Sequence, residues 1–186
     1  MSRFLSALLL LFTAAGAAGQ VVPAEHQAAL FSRLLAYDRA LKARAGAKVT
    51  IGILYKAASG SSRSASDELS AAFAPLKTRT IHGLPFDTAT LAYNGAEQLN
   101  AWTAAEDVDA IYLCPGLEGE FGEIQAFAAR RKLITLTPRR EDVQRGVTLG
   151  VVNRDGKPGI VVNLTTAKTL GMDLDPKLLQ LADVIR

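Results

Sequence analysis

The sequence predicts an α/β fold: a single mostly parallel sheet with helices on both faces, ending in an antiparallel hairpin and a helix. Three observations carry this. Short apolar runs at 49–55, 86–93, 108–114 and 133–136 alternate with segments of helical periodicity. Those runs are apolar nearly throughout, as strands covered on both faces require. Near the C-terminus the alternation stops, and two apolar runs flank "RDGKPG", a hairpin-turn composition.

Residues 1–19 read as a secretory signal peptide. Arg3 supplies the positive n-region, residues 4–12 an apolar stretch too short to span a bilayer, and Ala17 and Gly19 the small side chains that processing needs. No cysteine lies nearby to take a lipid. Residues 20–186, about 167 of them, then form one domain. The expected destination is the periplasm, with no stable membrane anchor.

Pro23 and Glu25 open the first helix, Leu30, Leu34, Tyr37 and Leu41 share one face, and Lys42, Arg44 and Gly46 close it. The strand at 49–55 follows. Ser64 or Ser66 caps the next helix, with Asp67 and Glu68 in its first turn and Leu69, Ala72, Phe73 and Leu76 inward. "TIHGLP" leads to the second strand at 86–93. Asn94 and Gly95 make a turn, and a helix with Leu99 and Trp102 on its core side follows. The third strand spans 108–114, a helix 120–131 buries Phe121, Ile124 and Ala128, and the fourth strand spans 133–136. The hairpin pairs 147–153 with 160–164. A short helix ends at Gly171. Asp175 and Pro176 start the last helix, with Leu178, Leu181 and Ile185 on one amphipathic face.

Right-handed crossovers order the first four strands 2-1-3-4. This is a Rossmann-like arrangement, similar to one lobe of a periplasmic binding protein. Ligands of such sheets lie beyond the carboxyl ends of the strands at the point where the order reverses, here between the first and third strands. Three loops share that rim. The first brings Lys56, Ser59, Gly60, Ser61, Ser62 and Arg63, the second Pro115 and Gly116, and the third Thr137, Arg139 and Arg140. Hydroxyls, positive charge and a helix N-terminus could hold a small anion, or the Ser/Gly stretch could simply solvate a loop.

Several functions are excluded. A formal net charge of +3 is too small for nucleic-acid binding, which needs a basic stripe. Gly60 lacks the second glycine and the lysine of a phosphate loop, and the glycines of a dinucleotide fingerprint are missing, so no cofactor is expected. His26 and His82 have no metal-ligand spacing, and the single Cys114, at the end of an apolar strand, reads as a buried inert thiol. Ser61, Ser62, His82 and Asp87 supply triad residue types without a nucleophile elbow, so no catalytic residues are assigned. Glu118, Glu120 and Glu123 read as favourable charge at a helix start, and Arg130, Arg131 and Lys132 as its complement at the end.

The most distinctive stretch is "RGVTLGVVNRDGKPGIVVNLTTAKTLGMDLDPKLLQLADVI", residues 145–185. It resembles the closing segment of the YfiR-like family, catalogued as a domain of unknown function. Gly146, Asn163, Leu164, Ala167, Gly171, Leu178, Leu179, Leu181 and Ala182 occupy the family's motif places. Upstream, "KVTIGILY", "DVDAIYLCPGLEGE" and "LITLTPRREDVQRG" look like its first, third and fourth strands. The chain lacks the family's aromatic ending of the early helix, keeps only Leu136 and Thr137 of its fourth-strand motif, and lacks the paired cysteines of the best-studied members. The resemblance implies a non-enzymatic periplasmic regulator that contacts the periplasmic part of a membrane signalling protein, a diguanylate cyclase of the cyclic di-GMP pathway in the type member. It also admits a homodimer. The other reading is a small solute- or anion-binding module using the rim.

Overall fold

A computed structural model describes residues 21–186, so the signal-peptide reading of 1–19 lies outside the described residues. Helix α1 (Ala24–Leu35) and a short α2 (Leu41–Arg44) lead into β1 (Val49–Tyr55). Helix α3 (Gly60–Phe73), a 3-10 turn, and strands β2 (Thr80–Ile81) and β3 (Leu84–Ala92) follow, then α4 (Ala96–Ala105), β4 (Ala110–Leu113), α5 (Phe121–Arg131) and β5 (Ile134–Thr137). The chain closes with α6 (Arg140–Gln144), the hairpin β6 (Leu149–Arg154) and β7 (Lys157–Asn163), α7 (Leu164–Thr169), α8 (Pro176–Leu181) and β8 (Asp183–Ile185).

All eight strands join one sheet in the order β2-β3-β1-β4-β5-β6-β7-β8. The central pairs β3–β1, β1–β4, β4–β5 and β5–β6 are parallel, and β6–β7 is the expected antiparallel hairpin. The crossover order of the first part is therefore as the sequence predicts.

Alternation along β1 shows why helices cover both faces. Val49, Ile51 and Ile53 pack with Phe31, Leu34, Leu69 and Phe73 of α1 and α3. Leu54 points the other way, to Leu99, Ile124 and Phe127 of α4 and α5. Between them, Gly52 admits the indole of Trp102: a Cβ at this position would lie 2.5 Å from a ring carbon. Trp102 is thus packed, half-buried, against the core, on the side its spacing from Leu99 predicts. On the other face, Phe31 meets Tyr112 edge-on at 5.7 Å, and the buried Tyr112 hydroxyl donates to Gln27 Oε1 at 2.7 Å.

Some elements differ from the sequence expectation. The first helix does not run through to Gly46 but breaks after Leu35. Asp38 stops it: its fully buried carboxylate accepts from the N–H of Ala40 at 3.1 Å and of Asp173 at 2.9 Å, and pairs with Arg44 at 2.6 Å. A carboxylate held by a strand of chain far away in sequence outweighs a periodic apolar face. Helix α3 begins at Gly60, not near Ser64 or Ser66, because Ser59 caps it by accepting from Ser62 N–H. Consequently Asp67 and Glu68 lie mid-helix. "TIHGLP" forms a small hairpin, with Thr80 and Ile81 pairing Pro85 and Leu84 around Gly83. The segment after the fourth strand is helical (α6). The last amphipathic face is cut short too. Leu178 is buried, but Leu181 is 66% exposed and Ile185 lies in β8, parallel to β7.

The family-motif positions serve this closing unit. Asn163 accepts from Thr166 N–H at 2.9 Å as the cap of α7 and donates to the Val143 carbonyl at 2.9 Å. Leu164 starts α7, Ala167 is buried under it, and Gly146 and Gly171 adopt φ of 111° and 76°. Leu179 and Ala182 pack partly against the core.

Candidate functional site

The loops after β1, β4 and β5 meet at the carboxyl edge of the sheet. Ser59 Oγ caps α3, lies 3.0 Å from Ser61 Oγ, and stands 3.3 Å from where a Cβ on Gly116 would sit. The second loop therefore rests directly on the first, and Gly116, at φ 96°, permits both the turn and the approach. Gly60 is the first residue of α3. Pro115 and Pro138 border the same edge. The structure thus gathers the sequence-predicted rim.

It also spends most of the rim's polar groups on the chain itself. Ser62 is buried, and its hydroxyl accepts from Lys56 N–H at 2.9 Å. The Lys56 ammonium pairs with Glu120 at 2.8 Å. Arg63 donates to the Ala57 carbonyl, Arg139 pairs with Glu118, and Arg140 pairs with Asp183 at 2.5 Å. Thr137 Oγ1 donates to the buried carboxylate of Asp142 at 2.8 Å and accepts from Arg139 N–H at 3.2 Å. For Glu118, burial works to raise its pKa, yet backbone N–H donors and Arg139 outweigh it and hold the carboxyl below its ordinary value.

Two clefts flank this knot. One, of about 790 Å³, is lined by Lys56, Tyr93, Gly95, Gln98, Glu120 and Glu123. In it the Tyr93 hydroxyl donates to Glu123 at 2.7 Å, and burial and then that acid push the phenol upward. Glu120 Oε2 is buried there with no hydrogen-bond partner. The other cleft, of about 410 Å³, lies between α1 and α3 and includes Val21, Ser61, Ser64, Tyr112, Pro115 and Pro138.

Sequence reasoning missed the part that Glu118 and Glu120 play. They do more than favour a helix start, because they neutralise Arg139 and Lys56 of the rim. The available signal was the "EGE" acids in one rim loop opposite the bases of the two others. The triad residue types are not brought together. His82 Nε2 lies 2.8 Å from the Asp38 carbonyl at the amino end of the sheet, Asp87 pairs with Lys77, and Ser61 and Ser62 lie at the carboxyl end. Cys114 is 2% exposed, and burial pushes its thiol up to about 12. Among the described residues no cluster of His, Cys, Asp and Glu could hold a metal ion.

At the opposite end, a cleft of about 450 Å³ is lined by Arg44, Asp107, Asp109, Arg130, Arg131 and Lys132. Asp109 accepts from Thr50 N–H at 2.8 Å. Burial, with Asp107 adding repulsion, pushes its carboxyl up to about 6. Lys132 ends α5 in the left-handed region at φ 59°, and its ammonium donates to the Thr169 carbonyl at 2.6 Å.

A family profile described as YfiR/HmsC-like matches residues 24–183. No curated protein sequence matches the chain significantly. Among solved structures, the chain is similar to an ABC domain in complex with L-Trp from Streptococcus pneumoniae, with a TM-score of 0.63 at 19% identity over 88% of this chain and 60% of that one. It is equally similar to a conserved domain protein from Vibrio cholerae O1 biovar El Tor, with a TM-score of 0.62 at 18% identity over the same shares, 88% and 60%. CD0873, a substrate binding protein with adhesive properties from Clostridium difficile, aligns with a TM-score of 0.54 at 14% identity over 79% of this chain and 57% of that one. The chain thus spans about 60% of the length of the first two structures. At these identities the likeness establishes the fold alone.

Proposed function

The chain belongs to the YfiR/HmsC-like family, and from that premise we propose that it is an exported, non-enzymatic regulator acting by contact with the periplasmic part of a membrane signalling protein. Members of this family are periplasmic regulators, and a cyclic di-GMP pathway is the signalling context we assign. The single observation favouring surface contact over solute capture is the state of the rim. Lys56, Arg139 and Arg140 are each neutralised by a carboxylate of the same chain. A guest anion would have to displace these partners, whereas a protein surface can cover them intact.

The test is affinity capture of the protein from membrane extracts of its own organism, with mass-spectrometric identification. Enrichment of a membrane protein carrying a periplasmic sensor segment supports the reading. Capture of no such protein, where a known periplasmic–membrane pair is recovered in parallel, overturns it.

A second reading, a small solute- or anion-binding module, is favoured by the substrate-binding fold and by the clefts of about 790 and 410 Å³ beside the rim. It predicts thermal stabilisation by small carboxylates or phosphates that is lost on changing Ser61→Ala together with Arg139→Ala.

A further inference from the structure

The amino-terminal end of the sheet carries charge that the rest of the fold does not use. Helix α5 delivers Arg130 and Arg131 in its last turn and Lys132 just after. Lys48 precedes β1 and Lys168 lies in α7, whose Thr169 carbonyl holds Lys132, while Arg44, which ends α2, is already paired with Asp38. Parallel pairing of β1, β4 and β5 brings the strand starts, and hence these residues, to one end. Lys48, Arg130, Arg131, Lys132 and Lys168 are exposed. Arg130 and Arg131 make no ion pair or side-chain hydrogen bond among the described residues, although both line the same cleft of about 450 Å³. Asp107 and Asp109 line that cleft as well, and Glu106 ends the neighbouring α4. Asp109 is spent on Thr50 N–H, and positive charge stays in excess.

We propose that this basic end docks on an anionic phospholipid surface, with headgroup phosphates taken by Arg130, Arg131 and Lys132. Two observations choose this occupant over an acidic protein. First, the cations are spread over the starts of several strands and the ends of several helices, the layout that faces a plane of phosphates rather than one inserted segment. Second, the end lacks the apolar centre of a protein interface. The exposed large hydrophobic residues among those described are Val21 and Leu181. Val21 lies beside Pro115 and Pro138 at the other end of the sheet, and Leu181 ends α8 next to the β8 edge. Docking by this end leaves the carboxyl rim facing away from the lipid, so the inference stands whether or not the rim meets a signalling protein.

The test is co-sedimentation of the purified protein with vesicles of phosphatidylglycerol and phosphatidylethanolamine, against vesicles of phosphatidylcholine alone. The expected result is binding to the anionic vesicles only, weakening as salt is raised. Arg130→Glu with Arg131→Glu weakens it at least about tenfold, while Arg154→Glu with Lys157→Glu, an equal change in net charge at the other end, leaves it within about twofold. Circular dichroism checks that both double variants are folded, and the salt dependence of the unaltered protein tests the proposal independently of them. Absence of binding to anionic vesicles, or equal losses in the two double variants, overturns the proposal. Tighter binding to soluble polyglutamate than to vesicles, lost in the Arg130/Arg131 variant, also overturns it and assigns the face to an acidic protein.

Discussion

At the carboxyl end of the sheet Lys56, Arg139 and Arg140 each have a carboxylate partner, whereas at the amino end Arg130 and Arg131 have none among the described residues. The difference follows from where the residues come from. Rim side chains sit on neighbouring strand-to-helix loops, so acids of the "EGE" loop face bases of the loops on either side. The free arginines sit in the last turn of α5, where the helix's own carbonyl dipole favours them without a carboxylate. The charge buried most deeply at the amino end, Asp38, is held by Arg44 and two backbone N–H groups. Residue type therefore says little about availability; the element that supplies a side chain says more.

The sharpest way to break this contrast is to remove the buried node. Asp38→Ala leaves the Arg44 guanidinium and two backbone N–H groups without their acceptor. It should cost about 3–4 kcal/mol in urea unfolding, well above any single change at the rim. Next comes the rim's own buried link. Thr137→Val removes the donor to Asp142, whose other oxygen already lacks a partner, and strips Arg139 N–H of its acceptor. A loss of about 2 kcal/mol is expected by the same measurement.

Asp109 sharpens the contrast through pH. Its folded pKa of about 6 lies above the ordinary 3.8, so folding favours the protonated form. Its contribution is complete below about pH 4 and is lost as pH rises through about 6. Asp109→Asn keeps an acceptor for Thr50 N–H without the charge. Thermal melts should show the variant more stable than the unaltered chain by about 1–2 kcal/mol at pH 8, with the gap closing near pH 4. The smallest effect is expected for Arg139→Gln. Both partners of its ion pair with Glu118 are more than a third exposed, at 37% and 43%, so stability should change by less than about 1 kcal/mol. The readout is instead the Glu118 carboxyl, which should titrate higher by NMR once its cation is gone.

Much of the scaffold was legible because it rests on local patterns. The apolar runs mark β1, β3, β4 and β5, the "RDGKPG" turn marks the hairpin, and Asp175 with Pro176 marks α8. What was not legible depends on distant partners. Nothing near Asp38 announces that Asp173 will donate to it, so the break in the first helix could not be read. Several serines could have capped α3, and the choice of Ser59 is made by the packing of Gly116 against it. β8 forms because β7 offers an open edge, which overrides the helical spacing of Leu178, Leu181 and Ile185. For the rim, position was readable from strand order, but the pairing of Lys56, Arg139 and Arg140 with acids was not.

The seclusion of Cys114 has a practical consequence. The chain's lone thiol is buried directly after the end of the central strand β4 and resists ionisation, so ordinary alkylating reagents will reach it only when the sheet opens. Its labelling rate, followed with no engineered probe, is a clock for the opening of the molecule, and any guest or partner that clamps the sheet will slow that clock.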